Sequence, residues 1–440
     1  MKKTISFLLL FICSLSFAQK KWTLRECVDY AVEHNLTVNQ NRIQEELRQN
    51  DLQNANNQWL PTVSGYFNNS LTIGTHNPLI NKPYQQYGHN LGISSNITIY
   101  QGGLVDLNKE RAELTVQSGK LQTESVMNDI SLLVVNYYLN IMLNREILAI
   151  TQGNLDINLQ QLDRAQKLFD NGRISRADLV QAEANVAQER KNVADAQIEV
   201  ERTLFNLSTL LQLPDYRDFD VEIITIPAEI TMGLYDLEEV LAIAYRQQPN
   251  IKKAEIDWQT SEKDIEIAKT GLKPTISGTY NLGTNYADYF NKGLVSDAWL
   301  TQWYDNITNV FGLNVSIPIF EKHTTKLNVE KAKINQDLAQ NAMEQEKQNL
   351  RQNVQEAYFN AYSSYQAYEA ARESVRSNEL SADFAQKSFD AGVLNFYDLN
   401  ISNNNLVVAK SQMAQAKYNF IFRMKVLDFY AGRPLAEGLE

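Results

Sequence analysis

The sequence predicts a mainly α fold with a membrane β-barrel portion, built from a duplicated unit of helix, β-hairpin and long helical hairpin. Three observations predict it. Met127, Val134, Ile141, Leu148, Leu155, Leu162 and Phe169 form an apolar column spaced by seven, and Leu179, Val186, Val193, Val200 and Leu207 form a second. Spacing by seven marks helices that pack side by side along a narrow seam. Elsewhere the period falls to two, as in strands with one apolar and one polar face. Finally, landmarks recur at a fixed offset, the mark of an internal repeat.

The helical hairpin runs from Gly102 to Leu213. No proline interrupts Leu104 to Phe169, and the glycines there, Gly119 and Gly153, cost a helix about 1 kcal/mol each. At about 1.5 Å per residue the first arm would be on the order of 100 Å long. Asp170-Asn171-Gly172 is a helix stop, and Ser175-Arg176-Ala177-Asp178 a capping-box restart.

In order along the chain, Lys2 and Lys3 precede an apolar run from Ile5 to Phe17, and Ser16-Phe17-Ala18 is a small-x-small cleavage site. Residues 1–18 are therefore expected to be a signal peptide. Cys13 follows the bulky Ile12, which argues against a lipoprotein. Cleavage would leave Cys27 alone, with neither a disulfide nor a cysteine metal cluster. After the signal no run of 18 apolar residues predicts a transmembrane helix. The net charge of -11 disfavours a nucleic-acid partner.

Residues 23–57 are expected to form one amphipathic helix ending before Pro61. Strands follow at about 62–73 and 90–100. Val63, Gly65, Phe67, Leu71 and Ile73 alternate with polar residues in the first, and Leu91, Ile93, Ile97 and Ile99 in the second. A linker, 214–234, contains a β-like run from Val221 to Ile224. The second copy predicts a helix over 236–270, strands at about 275–286 and 310–320, and a helical hairpin over 322–430 with its tip at Asp390-Ala391-Gly392. The domains are thus a first repeat over 19–213, with its hairpin at 102–213, and a second over 235–440.

The repeat fixes this division. Leu60-Pro61-Thr62 answers Lys273-Pro274-Thr275 at an offset of 213, while Phe169, Gly172 and Asp178 answer Phe389, Gly392 and Asp398 at 220. The seven-residue gain falls between Pro274 and Gly312. Aromatic residues crowd the strand connections: Tyr84 and Tyr87 in one; Tyr289, Phe290, Trp299, Trp303 and Tyr304 in the other. A soluble sheet explains neither these nor the small polar face of all four strands. Lipid outside, water inside and aromatics at the interface explain both. Four strands cannot close a barrel, because open edges in lipid leave peptide groups unpaired, so several chains must share one.

With these residues in hand the chain resembles the TolC family of outer-membrane efflux proteins over nearly its whole mature length. The likeness rests on the duplicated unit, Leu60-Pro61-Thr62 at strand entry, Pro318-Ile319-Phe320 at strand exit, and the tips from Gly172 to Asp178 and Gly392 to Asp398. It implies a homotrimer with a twelve-stranded outer-membrane barrel, four strands per chain, continued by a periplasmic α-helical barrel. It further implies a periplasmic adaptor, an inner-membrane pump and a closed periplasmic end. Three features depart from the pattern: Glu321-Lys322 stands where the first copy has Gly102-Gly103, Ile401 replaces a second acid, and Leu394 falls near an arginine latch found in some relatives.

Asp178 and Asp398 begin helices, where a carboxylate caps the chain and meets the positive dipole end. In a trimer they would also face their copies as acidic rings, which makes them the candidate channel constriction. Gly172, Arg173, Ile174, Arg176, Gly392, Val393, Leu394 and Phe396 are the candidate adaptor-docking tips. The function expected is the exit duct of a tripartite efflux or type I secretion system. The rivals are a passive porin, which needs no long tip-bearing helices, and a secreted coiled-coil rod or adhesin, which needs no amphipathic strands. No cofactor and no enzymatic activity are expected: His34, His76, His89 and His323 form no ligand motif, and neither a nucleophile motif nor a phosphate-binding glycine loop is present. Drug, metal, dye and polypeptide cargo would all suit such a pipe.

Overall fold

A computed structural model describes residues 21–77, 82–224, 233, 235–290 and 296–435. The expected signal peptide, residues 78–81 and most of the linker's second half lie outside the described residues. In chain order the elements are β1 (Lys21–Trp22), α1 (Leu24–His34), α2 (Leu36–Asn56), β2 (Thr62–Asn77), β3 (Lys82–Gln101), α3 (Leu104–Asp170), α4 (Arg176–Leu210) and β4 (Asp220–Val221). Then come α5 (Leu237–Gln247), α6 (Pro249–Thr270), β5 (Thr275–Tyr289), α7 (Trp299–Asp305), β6 (Thr308–Ser316), α8 (Thr324–Asp390) and α9 (Phe396–Tyr430).

The chain divides into two compact units that cut across the repeats. One holds residues 1–42, 121–252 and 345–440; the other holds 43–120 and 253–344. Each unit draws on both halves of the sequence.

The first unit contains two apolar cores that are copies of each other. Leu24, Cys27, Ala31 and Val38 from α1 and α2 pack with Ile130, Val134 and Ile141 of α3 and Leu207 of α4. The other core uses Val240, Ala244 and Ile251 with Leu350, Val354, Ala361 and Leu427. Cys27, Ala31 and Val38 lie 213 residues before Val240, Ala244 and Ile251, and Ile130, Val134, Ile141 and Leu207 lie 220 before their counterparts. Burying each large side chain is worth about 1.5–3 kcal/mol. Helix α3 carries one window long and apolar enough to cross a membrane by composition, but 44% of it is buried in the chain's own core.

Each expected amphipathic helix is in fact two. Asn35 and Gln248, again 213 apart, take extended ψ values of 130° and 125° and break the runs. At Gln248 the cause is Pro249, which disfavours helix in the residue before it. At Asn35 the side chain does the work: Oδ1 accepts from Thr37 N–H at 2.9 Å and Nδ2 donates to the Leu210 carbonyl. The β-like run expected from Val221 to Ile224 meets the observed strand only at Val221, for β4 is the two residues Asp220–Val221. Strand β4 pairs in parallel with β1, and the buried Tyr138 hydroxyl sits 2.7 Å from the Glu222 carbonyl and 3.2 Å from that of Trp22.

The second unit contains an antiparallel sheet ordered β2-β3-β5-β6 among the described residues. Strands β2 and β3 extend beyond the bounds expected from alternation, so Tyr84 and Tyr87 belong to a strand rather than a loop. Strand β6 stops at Ser316, leaving Ile317 to Phe320 outside it. Val63, Phe67, Leu71, Ile73, Phe311 and Leu313 all lie on one face and are exposed.

Beyond Gly283, which pairs with Thr308 at the start of β6, β5 continues without a strand partner on that side among the described residues. Side chains take over. Gln302 of α7 donates to the Ala287 carbonyl and accepts from its N–H, both at 3.1 Å, and Asn306 Nδ2 donates to the Asn285 carbonyl at 2.8 Å. A carboxamide offers the same donor and acceptor pair as a peptide, so these residues stand in for a strand.

Candidate functional site at the hairpin tips

Both hairpins turn in the same way. The Gly172 and Gly392 φ values are +68° and +75°, the left-handed region that glycine enters at no steric cost. Arg173 N–H bonds the Leu168 carbonyl at 2.8 Å, and Val393 N–H that of Ser388 at 2.9 Å. These six-to-one bonds close a Schellman motif at the end of each 67-residue helix.

The restarts differ. At the first tip the Ser175 hydroxyl accepts from Asp178 N–H, and the Asp178 carboxylate accepts from both the N–H and the hydroxyl of Ser175, at 3.0 and 2.7 Å. Those bonds, the hydroxyl's first, hold the Asp178 carboxyl below its ordinary pKa. At the second tip Asn395 Oδ1 accepts from Asp398 N–H at 2.9 Å, and no reciprocal bond forms. The Asp398 side chain is exposed, and its carboxylate has no hydrogen-bond or ion-pair partner among the described residues.

The tips are fastened to one another. Arg164 of α3 forms an ion pair with Asp390 and lies over the Phe389 ring, 5.1 Å from its centroid. The arginine bond pulls the Asp390 carboxyl below the usual carboxylate range. Ala165, Leu179 and Ala182 make a small buried cluster, against which Leu162, Phe169, Ile174 and Phe396 pack. Ile174 and Phe396, expected at the exposed end of the turns, are thus half-buried, because each tip supplies apolar surface to the other. Val393 is the apolar side chain left outside, 83% exposed. Arg176 lies over Phe169 and 3.9 Å from Glu183.

A cleft of about 430 Å³ opens between the two tips, lined by Arg164, Arg173, Asp178, Asp390, Leu394 and Phe396 among others. Of the expected site residues it gathers Arg173, Ile174, Asp178, Gly392, Leu394 and Phe396; Asp398, Arg176, Gly172 and Val393 stand outside its lining. Sequence reasoning missed Arg164. Its partner lies 226 residues away, and no local spacing announces such a pair.

The other polar candidates are dispersed. His34 stacks on Tyr30 with centroids 4.0 Å apart, and His323 meets Phe320 edge-on. His89 Nδ1 lies 2.8 Å from Asn69 Oδ1, and its Nε2 accepts from the Trp299 indole at 3.3 Å. The side chain of His76 lies outside the described residues. Among the described residues no cluster of acids, histidines and cysteines has the makings of a metal site.

Comparison with known proteins agrees with this architecture. The chain is 23% identical over 346 residues to outer membrane protein TolC of Escherichia coli (strain K12), covering 75% of this chain and 68% of that protein. Its fold matches a crystal structure of CusC with a TM-score of 0.77 at 17% identity, over 93% of this chain and 92% of that one. It also matches the Campylobacter jejuni CmeC outer membrane channel with a TM-score of 0.75 at 18% identity, over 94% and 87%. The family model for outer membrane efflux proteins matches residues 28–212 and 240–433, one segment in each repeat. The chain therefore belongs to the outer membrane efflux protein family, as an efflux channel of the outer membrane that extends into the periplasm.

Proposed function

We propose that three copies of this chain close one twelve-stranded barrel and form the exit duct of a tripartite efflux or type I secretion system. The observation that carries this is the sheet. Its apolar face is exposed, its other face is polar, and both outer strands, β2 and β6, keep an open edge. An open edge in lipid leaves each peptide group unpaired at several kcal/mol, so the edges must meet those of other copies. Four strands taken three times give twelve, a permitted even number. The copies of the repeat, 19–213 and 235–440, would supply two strands each, after loss of residues 1–18 in export.

In this arrangement the tips point into the periplasm and meet a periplasmic adaptor, which joins the duct to an inner-membrane pump. The mixed-charge cleft between the tips, with Arg173 in its lining and the exposed Val393 beside it, is the surface offered. Asp398 and Asp178 would recur three times around the tunnel end as its constriction. The chain acts as a passage, in keeping with the channel proteins to which it is similar. Mass photometry of the detergent-solubilised protein tests the reading. A trimer is expected, and a stable monomer with an intact barrel would overturn it.

A further inference from the structure

The polar face of the sheet bears no charged side chain across the described rows from Asn68-Asn90-Asn285 to Thr98-Ser277-Asn314. Serine, threonine, asparagine and glycine fill nearly all of it. One large residue interrupts this small-residue wall in its middle: Tyr66, in the row Tyr66-Gly92-Gly283-Thr308. Its ring does not stand off the wall. A Cβ at Gly92 would lie 2.5 Å from Tyr66 Oη and 2.6 Å from its Cζ, and a Cβ at Gly283 3.1 Å from the same hydroxyl. The ring therefore lies flat across two neighbouring strands, in the space two absent side chains vacate. The same device recurs near the strand ends, where Tyr84 covers Gly74. A ring laid on glycine shields backbone that would otherwise be bare, and a tyrosine so placed adds almost nothing to wall thickness.

We infer that the seating of Tyr66 on Gly92 and Gly283 keeps the bore of the exit segment clear for large cargo, the strand number setting its width. Across those rows the wall is charge-free and sorts cargo by width rather than by sign. This rests on the reading that the polar face lines the passage. Gly283 is the sensitive point. Besides Tyr66, its Cβ would meet only the Leu91 carbonyl, at 3.4 Å, within ordinary contact. An alanine Cβ there asks the Tyr66 hydroxyl to give by only a few tenths of an ångström, whereas the further carbons of a leucine would take the ring's seat and lift the ring off the wall toward the lumen.

The test uses intact cells and a reporter thiol three rows deeper, Ser277→Cys, with Cys27 buried and silent. A small water-soluble maleimide and a maleimide carrying a polyethylene glycol chain are added from outside. Gly283→Leu should leave the small reagent's rate unchanged and slow the large one severalfold. Adding Tyr66→Ala should restore it. Heat-modifiable migration checks that each variant inserts. Should Gly283→Leu fail to insert, Tyr66→Trp, too broad for the same seat, should slow the large reagent instead. An unchanged large-reagent rate in the inserted variant, or one that stays slow once the ring is gone, would overturn the inference. The channel reading fails separately: Ser277→Cys would then resist even the small reagent, or Leu313→Cys on the apolar face would react as fast.

Discussion

The chain takes the same left-handed step from strand to helix twice, with different residues. At the first exit Gly102 and Gly103 have φ of +66° and +86°; at the second Lys322 and His323 have +53° and +62°. These pairs are 220 residues apart, the offset of the helical hairpins. The equivalent of the glycine pair is therefore Lys322-His323, one residue later than the Glu321-Lys322 expected from sequence. The fold demands the conformation whatever residue supplies it, and a side chain there costs about 1–2 kcal/mol per residue. The two tips reverse the lesson: both turn on glycine, and they differ in what the following aspartate does.

The tip comparison carries the largest expected effect. Asp178 is spent on its own cap, whereas the Asp398 carboxylate is uncommitted. If three copies crowd at a closed end, the free carboxylates dominate the local field, which low-dielectric walls focus. In planar bilayers the channel should prefer cations and be blocked by multivalent cations from the tip side. Asp398→Ala should remove more of that block than Asp178→Ala, and the double variant nearly all of it. Equal effects of the single changes would erase the distinction between the tips, and an unaltered double variant would leave both aspartates as helix caps.

Next come the strand exits. A Cβ at Gly102 would fall 2.9 Å from Lys273 Cβ and 3.2 Å from the Thr270 carbonyl, while at Gly103 nothing lies within 4 Å. Gly103→Ala should cost about 1 kcal/mol of backbone strain alone, and Gly102→Ala distinctly more. Lys322→Gly and His323→Gly should each gain about 1 kcal/mol by the same rule. Thermal midpoints of the solubilised protein read all four. A loss in the glycine variants of the second exit would mean that the lysine or histidine makes a contact that outweighs its strain.

The smallest effect is the cap itself. The Asp178 carboxyl titrates lower in the folded chain than in the unfolded one, so its stabilisation is complete above its ordinary range, near pH 4, and fades as pH falls through the depressed value. Amide exchange at residues 176–180, corrected for intrinsic pH dependence, should quicken on acidification in the wild type. Asp178→Asn should be faster at neutral pH and show less of this response.

Much of this was legible because it is local or periodic. The heptad columns place Val134, Ile141, Leu179 and Leu207 in the core, alternation assigns Val63, Phe67 and Leu313 to one face, and Asn-Gly before a capping box marks a tip. What escaped depends on distant partners or on chemistry without a period. The break at Asn35 uses a carbonyl 175 residues away, and the Lys417 pair with Glu146 joins residues 271 apart. The division into compact units was equally hidden, since a repeat shows what was copied and not which segments fold together.

Helix α7 has a consequence for the chain in transit. The expected length gain of the second copy falls between Pro274 and Gly312, and α7 sits within that stretch. Before it reaches the membrane such a polypeptide crosses a crowded aqueous compartment, where every bare strand edge invites pairing with the wrong chain. By giving Gln302 and Asn306 to the upper part of β5, α7 withdraws that length from the market for stray strands. Among the described residues the outer edges of β2 and β6 stay open for strands of their own kind.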